Sequence, residues 1–249
     1  AEPKRIQTKP LELDLPGAMN ETAAAADDGS AGARFRKHFV GLSTAGSKGD
    51  LAGADAQAKQ ALAIAEKEQW PQMKIVVHMS LGAALVGATR YDDAIKNYGE
   101  AEKTAMAAQE QGDPVGGKLR VQAKLSTASA QIAAGRFPQA GKTYEETAPL
   151  AEAKNDARLE LESWRMAAYC REVGKDWEGA WKLNQQAFKA GEKLTPEDRE
   201  SSTLPYVGQA LTRVNNKLGK TDGATLKKHL DKTLGEGWEK KVERGATPA

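Results

Sequence analysis

Apolar residues along this chain return at every third or fourth position. Val121, Leu125, Ala128 and Ile132 are spaced four, three and four apart, which lays them along one face of a helix. A half-buried strand would alternate every two residues instead. Short breaks interrupt such stripes at Gly49-Asp50, Thr89-Arg90, Gly135-Arg136 and Gly174-Lys175-Asp176. Others fall at Gln69-Trp70-Pro71 and Gly112-Asp113-Pro114. Thr195-Pro196-Glu197-Asp198 supplies an N-cap, a proline at the first helical position and acids in the first turn, so it predicts a helix start. Pro205 then lies inside the next predicted helix, which must kink or restart there.

The pattern recurs. Leu81-Gly82 is followed by Tyr91, Ala94, Tyr98 and Ala101, at offsets of 1, 10, 13, 17 and 20 from Leu81. Downstream come Ala128, Gly135, Phe137, Ala140 and Tyr144, with Thr147 in the last small position. Trp164, Ala167-Ala168, Trp177, Ala180 and Ala187 follow, and Leu42, Leu51, Ala54 and Ala61 lie upstream. The first small residue of each second helix therefore falls at Ala54, Ala94, Ala140 and Ala180, separated by 40, 46 and 40. A weaker fifth copy places Ala224 there, 44 further on. Helix axes approach only where small side chains meet, so Gly82, Ala128 and Ala168 are expected to face Ala94, Ala140 and Ala180. Tyr91, Phe137 and Trp177 are expected to pack at the turns, with Tyr98 and Tyr144 further along.

These residues resemble the tetratricopeptide repeat family, in which Leu-Gly on a first helix precedes aromatic, Ala, aromatic and Ala on a second. The resemblance covers about residues 33–236. One copy meets it strictly, three approximately and one weakly, at spacings longer than the family's roughly 34 residues. It implies an all-α chain: a right-handed α-solenoid of antiparallel helix pairs, four to five in number, with first helices lining a concave surface that binds polypeptide. Residues 1–32 read as an extended or irregular segment, 33–236 as the helical repeats and 237–249 as a frayed, mildly basic tail.

Composition agrees. Hydrophobic residues make up 40% of the 249 and aromatics only 6%, which suits closely packed alanine-rich helices better than sheets. The net charge of +2, from 36 basic and 34 acidic residues, gives no steering field for nucleic acid. No apolar run approaches the roughly 18 residues of a membrane span. The single cysteine, Cys170, excludes an internal disulfide and a thiolate metal cluster. The chain opens at Ala1 without methionine, which fits an exported, periplasmic terminus or simple methionine removal in the cytoplasm, the setting slightly favoured. Its general character suggests a bacterial assembly.

Chemistry is sparse. Gly112-Asp113-Pro114-Val115-Gly116-Gly117-Lys118 has the glycine and lysine spacing of a phosphate loop, but Leu119 stands where a magnesium-binding hydroxyl belongs. The preceding Ala105-Met106-Ala107-Ala108 reads as helix and not strand, so an inter-repeat turn explains the run better. His38, His78 and His229 lack a second ligand at helical metal spacing, so no metal is expected. His78 stands where the family often has tryptophan, which implies a packed role. Cys170 reads as a buried, inert thiol. Lys227-Lys228 and Lys240-Lys241 are diluted by Asp231, Glu236, Glu239 and Glu243. No catalytic residue and no cofactor is expected.

The family register implies a peptide-binding groove formed by Arg36, Phe39 and Ser43; Val76, Met79 and Ala83; Gln122, Leu125 and Ser129; and Glu162, Arg165 and Tyr169. The lysine–asparagine set with which some members clamp a terminal carboxylate is missing. The resemblance therefore favours an apolar segment held by Phe39, Met79 and Leu125, with Arg165 at one end. Leu11, Leu13 and Leu15 alternate with Glu12 and Asp14, an extended signature, and residues 10–16 are expected to dock on the array or on a second copy. The expected function is a non-enzymatic adaptor, chaperone or scaffold that binds another protein or peptide. A structural subunit built by self-association of the array is the alternative.

Overall fold

The computed structural model describes residues 29–245. Among these there are helices and turns and no strand. The chain divides into two compact units, with the boundary between Gly135 and Arg136. The docking expected of residues 10–16 lies outside the described residues.

The first unit contains α1 (Ala31–Ser47), α2 (Leu51–Lys67), α3 (Pro71–Gly87), α4 (Tyr91–Glu110) and α5 (Gly116–Ala133). Consecutive helices pack on each other, and the first helices also meet directly, α1 on α3 and α3 on α5. Alanine makes this possible. Ala54, Ala58, Ala61 and Ala65 on α2, and Ala94, Ala101 and Ala105 on α4, are essentially inaccessible and form flat seams. Phe35, Leu42, Ile75, Val76, Val77, Leu81 and Leu85 fill the core between them. A Cβ on Gly82 would stand 2.5 Å from Cε1 of Tyr98, so the residue facing this ring must lack one.

The repeat is visible as repeated contacts. His38 Nδ1 lies 2.8 Å from Gln57 Oε1, and His78 Nδ1 lies 3.2 Å from Asn97 Oδ1, each pair 19 residues apart and the second 40 on from the first. His78 thus has the packed role expected of it. Lys124 stands at the corresponding place on α5, buried, with its ammonium 3.2 Å from Glu102 of α4.

The helix ends share one design. The backbone N–H of Asp50 donates to Ala45, that of Trp70 to Ala65, Arg90 to Leu85, Asp113 to Ala108, Asp156 to Ala151 and Asp176 to Arg171. These six-to-one bonds need a left-handed residue just before the donor. Gly49 and Gly112 meet the need without strain, whereas Gln69, Thr89, Asn155 and Lys175 adopt φ of 56–61° with a side chain present. Three donors, Asp50, Asp156 and Asp176, then cap the next helix through their own carboxylates.

The second unit contains α6 (Phe137–Glu152), α7 (Ala157–Val173), α8 (Trp177–Glu192), α9 (Pro196–Ser201), α10 (Leu204–Leu218), α11 (Gly223–Leu234) and α12 (Trp238–Gly245). Thr195 caps α9, accepting from the Asp198 N–H at 3.2 Å, and Pro205 sits in the first turn of α10, so the chain restarts there. Equivalent positions of successive pairs are again tied about 40 residues apart, by Arg158–Asp198 and Arg213–Glu172.

Two expected boundaries shift. Helix α1 begins at Ala31, because Ser30 accepts from the Ala33 N–H at 3.1 Å and starts the helix before Gly32. Where a frayed tail was expected after Trp238, the chain forms α12. Trp238 is 2% exposed, its ring lies against Gly208, and its indole N–H donates to Asp231 at 3.2 Å. Val242, one helical turn later on the same face, is buried with it.

Candidate polypeptide-binding faces

The first helices carry the expected groove residues, but they differ in what they leave open. On the first unit, Phe39 is 9% exposed and Met79 5%, and both belong to the hydrophobic core, as does Val76 at 0%. They fill the direct α1–α3 contact, so little of either side chain faces outward. The family register puts them on an open groove face. It cannot say how much of that face the next pair will cover. Ser43 and Ala83 are exposed, and Arg36, Leu125 and Ser129 are half-buried, while Gln122 is buried. The accessible strip on this unit is therefore made of small uncharged side chains, Ser43 and Ala83 exposed and Ser129 half-buried, with Leu125 beside them.

On the second unit, Arg165 of α7 forks onto Glu162, with Nε to Oε2 at 2.8 Å and Nη2 to Oε1 at 2.6 Å. The hydroxyl of Thr203 donates to the same Glu162 at 2.9 Å. Burial opposes the charge on Arg165, but the hydrogen bonds and charge of Glu162 outweigh it and hold the guanidinium above its ordinary pKa. Tyr144 and Tyr206 also face it. Tyr169 packs edge-to-face on Phe137, with centroids 6.2 Å apart, and burial raises its pKa. Arg165 and Tyr169 thus sit on one helix face, the first held by an acid and the second by an aromatic ring. The partner of Glu162 was not legible in sequence, since Thr203 lies 41 residues away.

Sequence reading also missed a cavity. A pocket of about 450 Å³ in the first unit is lined by Phe35 and Arg36 of α1, by Trp70, Gln72 and Met73 at the start of α3, and by Asp113. Phe35 and Trp70 meet edge-to-face at 6.2 Å. Gln69-Trp70-Pro71 reads as punctuation in the sequence, and a tryptophan in a turn was the available signal.

Among the described residues, no cluster of three His, Cys, Asp or Glu could hold a metal ion. Gly112, with φ of 86°, lies in the turn after α4, while Gly116, Gly117 and Lys118 open α5, so the glycine-rich run joins two helices. Cys170 is buried, and its surroundings push the thiol up to about 12. Among the described residues, no helix is long and apolar enough to cross a membrane.

No family model matches the chain, and no curated protein matches it. Solved structures do. The apo form of RapI superposes with a TM-score of 0.60 at 14% identity, over 84% of this chain and 72% of that one. The tetratricopeptide-like repeats of a Podosopora anserina putative kinesin light chain give 0.56 at 16% identity, over 85% and 97%. The fold is that of a tetratricopeptide-like helical repeat protein. Aspartyl phosphate phosphatase F from Bacillus subtilis gives 0.58 at 13% identity, and this chain spans about half of it, 52%. At such identities the tetratricopeptide-like likeness is one of fold.

Proposed function

We propose that this tetratricopeptide-like chain is a non-enzymatic interaction module, an adaptor, chaperone or scaffold, that holds a polypeptide segment on the faces of its first helices. The observation that carries the reading is the strip on the first unit. Ser43 and Ala83 are small and exposed, Ser129 is small and half-buried, and Leu125 is a half-buried apolar foothold among them. Small side chains let a bound backbone lie close, and one apolar anchor with an uncharged surround suits an extended or helical segment. The tetratricopeptide-like fold supports it, because repeat arrays present extended surfaces to partners.

Capture from lysate with the full chain tests it when run beside an Ala83→Glu variant. Ala83 is exposed, so the substitution leaves the core untouched, and the partner should be lost from the variant alone. Partners retained equally by both proteins would refute a site on this strip. Self-association of the array is the rival assembly, and sedimentation at several concentrations distinguishes it.

A further inference from the structure

The pocket at the start of α1 and α3 has a chemistry that the first-helix strip lacks. Phe35, Trp70 and Met73 give it apolar walls, and Arg36, Gln72 and Asp113 give it a polar rim. The rim groups are not equally engaged. Gln72 Nε2 donates to both oxygens of Asp113, at 3.2 and 3.0 Å, and Asp113 also accepts from the Val115 N–H at 2.8 Å. Arg36 is half-buried, and among the described residues its guanidinium has no hydrogen-bond or ion-pair partner. Trp70, at the N-cap of α3, lines the pocket with its ring set edge-to-face on Phe35. Such a site takes apolar side chains flanked by a carboxylate.

One stretch of this chain has that composition. Leu11-Glu12-Leu13-Asp14-Leu15 alternates apolar and acidic residues, and an extended strip with this period puts three leucines on one side and two acids on the other. It also begins close by. The chain enters α1 at Ala31, and Gly32, Phe35 and Arg36 of that helix are pocket residues. Sixteen residues separate Leu13 from Gly29, a contour length of at most roughly 53–58 Å, which brings the pocket within reach of the strip.

We infer that residues 11–15 occupy this pocket in cis, with leucine side chains against Phe35, Trp70 and Met73 and a carboxylate of Glu12 or Asp14 on Arg36. The site is separate from the strip of Ser43, Ala83 and Leu125, so an external polypeptide and this internal one occupy different surfaces.

Disulfide trapping in the full chain tests the assignment. A Leu13→Cys, Gln72→Cys protein is compared with a Leu13→Cys, Lys37→Cys protein. Lys37 is exposed on the same helix as Arg36, within the same tether reach but outside the pocket. At micromolar protein, the monomeric disulfide should form at least ten-fold faster in the first pair, and adding Arg36→Glu should abolish the advantage. Equal rates in the two pairs overturn the docking. A disulfide-linked dimer whose yield rises with concentration assigns the pocket to a second copy and overturns the cis assignment. A second measurement avoids substitution in the folded unit. In the full chain carrying Leu11→Ser, Leu13→Ser and Leu15→Ser, amide exchange over residues 69–73 should accelerate several-fold, and unchanged exchange there also overturns the inference.

Discussion

The Cα of Gly82 faces the edge of the Tyr98 ring so closely that an added Cβ would lie 2.5 Å from Cε1 and 2.8 Å from Cδ1. This contact is where α3 and α4 come together, and it depends on both residues. Gly82→Ala should therefore overpack the seam and cost roughly 1–3 kcal/mol, despite alanine's better helix propensity. Tyr98→Ala should leave a cavity and cost about 3–5 kcal/mol. Urea unfolding followed by circular dichroism checks both, read on the transition of the first unit if the two units melt separately. Parent-like midpoints for both variants would mean that the ring does not fill that seam.

Thr89 offers a gain. It ends α3 with φ of 60°, a left-handed conformation that costs a β-branched residue about 1–2 kcal/mol. Thr89→Gly relieves that strain at some cost in unfolded-chain entropy. A net stabilisation of about 0.5–1 kcal/mol is expected by thermal unfolding. Thr89→Ala should do markedly less, because it keeps the Cβ.

Asp50 caps α2 by accepting from the Gly53 N–H at 2.9 Å. Asp50→Ala should cost about 1 kcal/mol, and Asp50→Asn should retain most of the stability because its amide oxygen accepts the same bond. Equal losses in the two variants would point to the charge and not the cap.

Much of this architecture is legible in the sequence. The alanine and glycine positions place the close helix contacts, Pro205 marks the restart into α10, and Thr195 marks the start of α9. The polar contacts and the open surface are less legible. Phe39 and Met79 were expected to line the groove, but both are buried in the core of the first unit, and a one-dimensional pattern does not measure that burial. The pocket depends on Trp70 and Asp113, two turn residues 43 positions apart, which nothing local connects. Helix α12 was signalled only by Trp238 and Val242 at helical spacing, within a stretch whose charges suggested a solvated end.

Alkaline pH should loosen the fold. Burial raises the Tyr98 phenol from 10.0 to about 12, and burial chiefly raises Cys170 from 9.0 to about 12. Both groups are neutral while protonated, and the unfolded chain releases these protons at lower pH than the folded one. Their contribution is complete below pH 9 for Cys170 and below pH 10 for Tyr98, and is lost as pH rises toward 12. Unfolding midpoints should fall across that window, and Tyr98→Phe should flatten the fall. A slope unchanged by Tyr98→Phe and by Cys170→Ala would show that other groups govern it.

Site-specific photo-crosslinking tests the binding role most directly. A benzophenone amino acid is placed in the full chain at Ala83, on the proposed strip, or at Lys59, exposed on α2 with a side-chain accessibility of 73%. Illumination in lysate should yield a discrete adduct with another polypeptide from the Ala83 position, absent from the Lys59 position and removed by excess unlabelled chain. The same adducts from both positions, or none from Ala83, would contradict a polypeptide-binding face on the first helices.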